Sequence, residues 1–213
     1  ERPGEFALIA RYFRPLATSP GAFGLTDDAA VYVPREGEDL VLKTDLITEG
    51  VHFFPDDPPE AIAAKALRVN LSDLAGKGAA PVGYMLSLSL RSDWTEDWVR
   101  RFAAGLEGDQ QSYGISLFGG DTNRSLGGTT VSIAAFGTVP AGGIIRRAGA
   151  AAGDLIYVSG TIGDAALGSM LLCEEDANRA AEIAAELDRL NRERQAMEVE
   201  MVADACAEAD RDL

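Results

Sequence analysis

All 23 glycines and all nine prolines of this 213-residue chain lie at or before Gly168, and none follows it. Glycine and proline are the residues that punctuate turns and loops, so a stretch without either is built differently from one rich in both. From Ser169 to Leu213 the chain carries thirteen Asp or Glu against five Arg, a net of −8, which leaves −7 of the total −15 for the preceding residues. All three lysines fall before the seam, and both cysteines, Cys173 and Cys206, fall after it. Two kinds of structure are therefore expected, a punctuated domain over residues 1–165 and a helical tail over residues 166–213.

Strand and helix signals alternate in the first part. Ala30 to Val33 and Leu40 to Thr44 read as strands around the turn Pro34-Arg35-Glu36-Gly37. Pro58-Pro59 opens a helix to about Ala75, stopped by Gly76 and Gly78. Val82 to Leu90 reads as a long apolar strand. Thr95 with Glu96 and Asp97 starts a second helix, which ends near Gly114. Ile115 to Phe118, Thr129 to Val139 and Leu155 to Ser159 add three strands. Helices that return the chain between strands predict a layered α/β or α+β domain. In the tail, Ile183, Leu187, Leu190, Met197 and Met201 recur at helical spacing, interrupted by Arg194. That stripe reads as an amphipathic helix packing on something.

Composition removes several function classes. Hydrophobic residues make up 46% and charged residues 25%, ordinary for a globular protein, and the length suits one domain with an appendage. No run of about 18 apolar residues is present, so no membrane span is expected. A charge of −15 disfavours direct binding of nucleic acid through a basic face. Glu1-Arg2-Pro3-Gly4 lacks the layout of a secretory signal, and two cysteines suit a reducing cytoplasm, the expected location. The first methionine is Met85, so an incomplete start is expected.

Five aspartates carry the candidate chemistry. Asp27-Asp28 precede a predicted strand, Asp45 ends the next within Lys43-Thr44-Asp45, Asp73 sits late in the first long helix, and Asp121 follows Gly119-Gly120. Taken singly, each is an ordinary turn residue, cap or solvated helix position. As a set they point further, because acids gathered in one place repel unless cations lie between them. Mg²⁺ prefers carboxylate oxygen, and a glycine-lined backbone beside Asp121 lets N–H groups approach phosphate. One cleft shared by Asp28, Asp45, Asp73 and Asp121 is therefore expected. Other phosphate and hydrolase signatures are missing from the string. Gly76-Lys77 is followed by Gly78, so there is no P-loop, no Gly-x-Gly-x-x-Gly follows a strand, and no Gly-x-Ser-x-Gly elbow occurs. With one histidine, His52, a His/Cys zinc site is not expected.

Read together, these motifs match a known family. Gly4-Glu-Phe-Ala-Leu-Ile-Ala-Arg11-Tyr-Phe, Asp27-Asp28, Thr44-Asp45, Gly50-Val-His52-Phe, Lys65-Ala-Leu-Arg-Val-Asn-Leu-Ser-Asp73-Leu-Ala, Gly119-Gly120-Asp121-Thr122, Arg147-Ala-Gly149 and Gly153-Asp154-Leu-Ile-Tyr-Val-Ser-Gly160-Thr occur in order. From residue 4 to about 165, the chain resembles the nucleotide-binding half of the thiamine-monophosphate kinases. Their superfamily also holds aminoimidazole ribonucleotide synthetase, selenophosphate synthetase and a hydrogenase-maturation protein. The resemblance implies an α+β domain of that superfamily and direct transfer of the γ-phosphoryl of ATP to thiamine monophosphate, giving thiamine diphosphate. It implies that Asp28, Thr44, Asp45, Asp73 and Asp121 hold several Mg²⁺ ions. It further implies that Tyr113, Gly120, Asp121 and Arg147 contact ATP, that His52 contacts thiamine monophosphate, and that the domain forms a homodimer through its sheet.

Two departures follow. Lys43 stands where a related sequence has a small hydroxyl residue; if a side-chain oxygen is needed there, one metal coordination is lost. The family's second α/β domain, with its Val-Ser-Asp-Gly motif, has no counterpart after Gly160. Instead Leu171-Leu-Cys-Glu-Glu-Asp and Ala185-Glu-Leu-Asp-Arg-Leu-Asn-Arg-Glu-Arg-Gln-Ala-Met-Glu resemble the helix between the two domains of the DHH-family single-strand-specific DNA exonuclease, without its catalytic Asp-His-His. A join within Ile162 to Gly168, by fusion or misassembly of a gene, is the expected origin. Three readings stay open: a kinase impaired by the missing half, a non-catalytic dimerising module that binds Mg·ATP, and a DNA-processing accessory acting through its tail.

Overall fold

The chain was analysed as a computed structural model, which describes residues 3–155 together with 157, 163, 168, 185, 188, 189 and 192. It divides into two compact units, Glu1–Gly149 and Ala150–Leu213. The boundary expected near 165, the join and the tail stripe lie outside the described residues, as does most of the strand expected from Leu155 to Ser159.

Local chemistry sets the two long helices. Helix α3, Glu96–Tyr113, starts where the Thr95 side chain accepts a hydrogen bond from the Trp98 N–H, and stops at Gly114 in the left-handed conformation, φ 65°. Helix α2, Pro59–Gly76, opens on a proline whose missing N–H would have no helical partner, and buries Ile62, Ala63, Ala66, Leu67, Asn70, Leu71 and Leu74 along one face. The helices pack closely at Gly105, where a Cβ would meet the Glu60 carbonyl oxygen at 2.6 Å. A short helix, α1, Glu5–Leu8, runs on through a π turn, Ile9–Phe13, and a 3₁₀ turn, Arg14–Leu16.

Four strands form one mixed sheet in the order β1-β4-β2-β3. They are β1 Glu38–Thr48, β2 Ala80–Leu90, β3 Ser116–Arg124 and β4 Thr130–Pro140. β4 pairs antiparallel with both neighbours, and β2 with β3 is parallel. Side chains alternate between faces. Val41, Ile47, Tyr84, Leu86, Leu88, Val131, Ile133 and Ala135 are buried in the core with residues of α2 and α3. Leu42 and Leu46 of β1 and Met85 of β2 fall on the alternate positions and are 73%, 52% and 43% exposed. This is the expected layered α+β class. Among the described residues no helix is long and apolar enough to cross a membrane.

Three sequence expectations need correction. Ala30–Val33 is not a strand. Tyr32 packs its ring on Phe118 and Phe136, with centroids 6.1 and 5.5 Å away, while the Val31 N–H reaches the Gly21 carbonyl at 2.9 Å. The apolar run is thus satisfied by packing across the sheet rather than by a ladder. Asp45 lies inside β1 rather than at a strand end, because its ladder with β4 continues to Thr48. Asp121 likewise lies inside β3, opposite Ser87 of β2.

Candidate functional site

A cavity of about 420 Å³ opens at the β3 edge of the sheet. Gly119, Gly120, Asp121 and Thr122 form one wall, Thr26, Asp27 and Asp28 another, and Glu5, Phe6 and Ile9 of the N-terminal helical segment border it. Two local features shape it. The first is a bulge: Tyr84 pairs with Leu117 but Met85 pairs with Gly119, so Phe118 is an extra residue in β3. Beyond the bulge Gly120 runs so close to β2 that a Cβ there would lie 1.7 Å from the Leu86 carbonyl oxygen. The second is a tight corner. Phe23, Gly24 and Leu25 take φ values of 49°, 60° and 55°, successive left-handed residues that turn Asp27-Asp28 towards the cavity. For the two non-glycine residues this costs about 1–2 kcal/mol each. The Asp27 carboxylate accepts from the Asp28 N–H at 2.8 Å, and the Thr122 hydroxyl donates to Glu5 at 3.3 Å. The sequence marks Glu5 only by its place in the opening Gly4–Phe13 block and not as a candidate ligand.

A second group lies at the β1 side. The Lys43 ammonium bonds Asp45 at 3.0 Å and Asp73 of α2 at 2.6 Å. Donation to those two carboxylates, Asp73 first, raises the Lys43 pKa above its ordinary value. The Lys43 contact in turn holds the Asp73 carboxyl below the usual range, against a smaller opposing effect of burial and with added attraction from Lys77 and Arg147. Arg147 belongs to this neighbourhood because the segment before it is pinned to the end of α2, with the Ile145 N–H donating to the Lys77 carbonyl at 3.1 Å.

The expectation of one cleft shared by four aspartates is therefore not met within one chain. Asp45 pairs with Ile133, Ile133 with Leu86 and Leu86 with Gly120, so β4 and β2 separate the two groups by three strand spacings, roughly 14 Å. Among the described residues no three Asp, Glu, His or Cys side chains come close enough to hold a metal ion. Thr44, next to Asp45, points to the opposite face and donates its hydroxyl to the Ile133 carbonyl at 3.1 Å. His52 sits in the turn after β1, its Nδ1 accepting from the Thr48 N–H at 3.1 Å and its carbonyl accepting from Lys65. Tyr113 ends α3 and is 45% exposed. It lines no part of the β3-edge cavity.

Mg²⁺ requires carboxylate oxygens supplemented by water. Asp27, Asp28, Glu5 and Asp121 around one cavity meet that requirement in kind. Asp45 and Asp73 do not meet it as they stand, because an ammonium occupies the position between them.

A mixed sheet of this order, backed by two helices, is an AIR synthase-like fold. The family described as "AIR synthase related protein, N-terminal domain" matches residues 26–139, more than half of the chain, and the chain belongs to it. It is 46% identical over 167 residues to the thiamine-monophosphate kinase of Caulobacter vibrioides, covering 78% of this chain and 47% of that protein. With the Escherichia coli thiamine-monophosphate kinase it shares 43% over 171 residues, covering 79% of this chain and 52% of that one. The crystal structure of thiamine-monophosphate kinase from Stenotrophomonas maltophilia superposes with a TM-score of 0.69 at 42% identity, over 81% of this chain and 54% of that one. AaThiL complexed with AMPPCP and TMP superposes with a TM-score of 0.62 at 34% identity, over 73% and 53%. The chain thus spans about half the length of the curated relatives it matches.

Proposed function

We propose that this chain is the nucleotide-binding half of a thiamine-monophosphate kinase, moving the γ-phosphoryl of ATP directly to the phosphate of thiamine monophosphate. The observation that carries the reading is the glycine-backed Asp121 facing Asp27-Asp28 across one cavity, in a chain 46% identical to such a kinase. The P–O bond to the γ-phosphorus breaks towards ADP while a phosphate oxygen of thiamine monophosphate forms the new one, and the product is thiamine diphosphate. Two polyanions must meet, so positioning and charge neutralisation supply most of the catalysis. Bound Mg²⁺ supplies that neutralisation. Asp28 and Asp121 are the residues assigned to hold it at the cavity, with Asp45 and Asp73 as further ligands once Lys43 leaves the position between them and Thr44 as a ligand on the opposite face of β1. Gly120 and Asp121 at the cavity wall are assigned to ATP together with Tyr113 and Arg147, and His52 is assigned to thiamine monophosphate.

The reading also takes in a cytoplasmic homodimer with no direct contact to nucleic acid. Pairing would cover the exposed Leu42, Leu46 and Met85, and would give each β3-edge cavity a second copy's groups. Sedimentation velocity decides it, and a monomer at micromolar concentration refutes the pairing. We assign the domain boundary near 165 and the exonuclease-like origin to the segment from about 166.

The activity is tested by following thiamine diphosphate formation from ATP and thiamine monophosphate chromatographically, with Asp73→Asn as the blank. Slow turnover by the chain alone, lost in the blank, is expected, because in-line transfer tolerates little misplacement and the matched region covers only 47% of the Caulobacter vibrioides kinase. Turnover unchanged in the blank refutes the assignment of Asp73. The half-length match also favours a second reading, a module that binds Mg·ATP and dimerises without turnover. ATP binding with no detectable product selects it.

A further inference from the structure

The Lys43 ammonium lies within hydrogen-bond reach of two carboxylates from different elements, Asp45 on β1 and Asp73 on α2. Its side chain is the least exposed of the three at 27%, against 43% and 52%. Lys77 and Arg147 add positive potential on Asp73 from the end of α2 and the segment after β4. A divalent ion entering between the two carboxylates meets a positive charge already in place, 3.0 Å from one carboxylate oxygen and 2.6 Å from the other. We propose that Lys43 is a built-in counter-cation that fills the Asp45/Asp73 position in the resting chain and lowers its affinity for divalent metal. Metal entry there requires the lysine to swing out.

The arrangement also explains how two acids persist side by side in a chain of net charge −15: the ammonium cancels their repulsion locally. The proposal rests on the assignment of Asp45 and Asp73 as metal ligands in the kinase reading, but its test uses neither nucleotide nor turnover. Loss of ATP binding or activity therefore leaves it standing, and its own failure leaves the cavity assignment of Asp28 and Asp121 untouched.

The test is titration of Mn²⁺ alone into the full chain, read from the electron paramagnetic resonance signal of the free ion. Lys43→Met should bind one Mn²⁺ roughly tenfold or more tightly than the parent, since a like charge within about 4 Å of the entering ion has been removed. Adding Asp73→Asn to Lys43→Met should erase that gain. Lys43→Gln, which keeps a polar side chain, guards against misfolding and should behave as Lys43→Met does. Mn²⁺ affinity unchanged or weaker in a folded Lys43 variant overturns the proposal, as does a gain that survives Asp73→Asn.

Discussion

Gly120→Ala tests how the cavity is built. A Cβ at this position would stand 1.7 Å from the Leu86 carbonyl oxygen and 3.0 Å from the Leu86 nitrogen. Both atoms belong to the ladder backbone of β2, so no side chain can turn aside to make room. Restoring ordinary contact at about 3.5 Å requires β2 and β3 to part locally, which gives up a ladder hydrogen bond worth about 1 kcal/mol and adds overpacking of about 1–3 kcal/mol. The backbone at φ 155° adds a further penalty on the order of 1 kcal/mol for a residue with a side chain. Together roughly 3–5 kcal/mol is lost, a large share of a typical total of about 5–15 kcal/mol. Gly119→Ala, one residue away, is the control. Its Cβ would meet only the Met85 terminal methyl at 3.3 Å, which can rotate, so the cost is under about 1 kcal/mol. Urea unfolding followed by the fluorescence of Trp94 and Trp98 gives both values. A Gly120→Ala protein within about 1 kcal/mol of the parent, or a Gly119→Ala protein that loses more, refutes this account of the cavity wall.

Arg68 clamps Asp109 through contacts of 2.7, 3.0 and 3.1 Å, and the Asp109 side chain is 4% exposed while that of Arg68 is 59% exposed. Thermal melts should therefore show Arg68→Ala, which strands a buried carboxylate, costing about 2–4 kcal/mol and more than Asp109→Asn, which leaves a cation that water can reach. Hydrogen bonds from the Tyr12 hydroxyl, at 2.6 Å, and from Arg11 hold the Glu96 carboxyl below its usual range. A depressed carboxylate stabilises the fold above its unfolded value and loses that contribution as the pH falls through its folded one. Hydrogen exchange in Leu8–Phe13 should quicken in that acid window, whereas Glu96→Gln should exchange quickly at neutral pH already; exchange independent of both would contradict the coupling.

Some elements were legible because their causes are local. Thr95 and Gly114 bracket α3 by capping chemistry alone, and the apolar run of β2 declares a strand before any partner is known. β1 and β3 look shorter in sequence than they are because Lys43, Asp45 and Asp121 resemble strand ends; they are strand residues only because β4 and β2 continue alongside them. Ala30–Val33 looks like a strand in sequence for the converse reason, since alternation cannot distinguish a ladder from a segment packing Tyr32 on Phe118 and Phe136. At the site, the motifs named Asp28, Gly120 and Asp121, and these line one cavity. That Lys43 reaches Asp73, thirty positions further along the chain, depends on α2 crossing β1, which no local pattern encodes. The separation of Asp45 from Asp121 follows from the strand order, another long-range property.

Calorimetric titration of ATP into the full chain, with Mg²⁺ and again in EDTA, tests the central claim most directly. Aspartates around the cavity and a triphosphate repel each other in a partly desolvated cleft unless cations lie between them. Binding in Mg²⁺ that disappears in EDTA is expected, weakened by Asp121→Asn and unchanged by Asp212→Asn in the tail. Equal affinity in EDTA, or an Asp121→Asn protein that binds like the parent, would contradict the account.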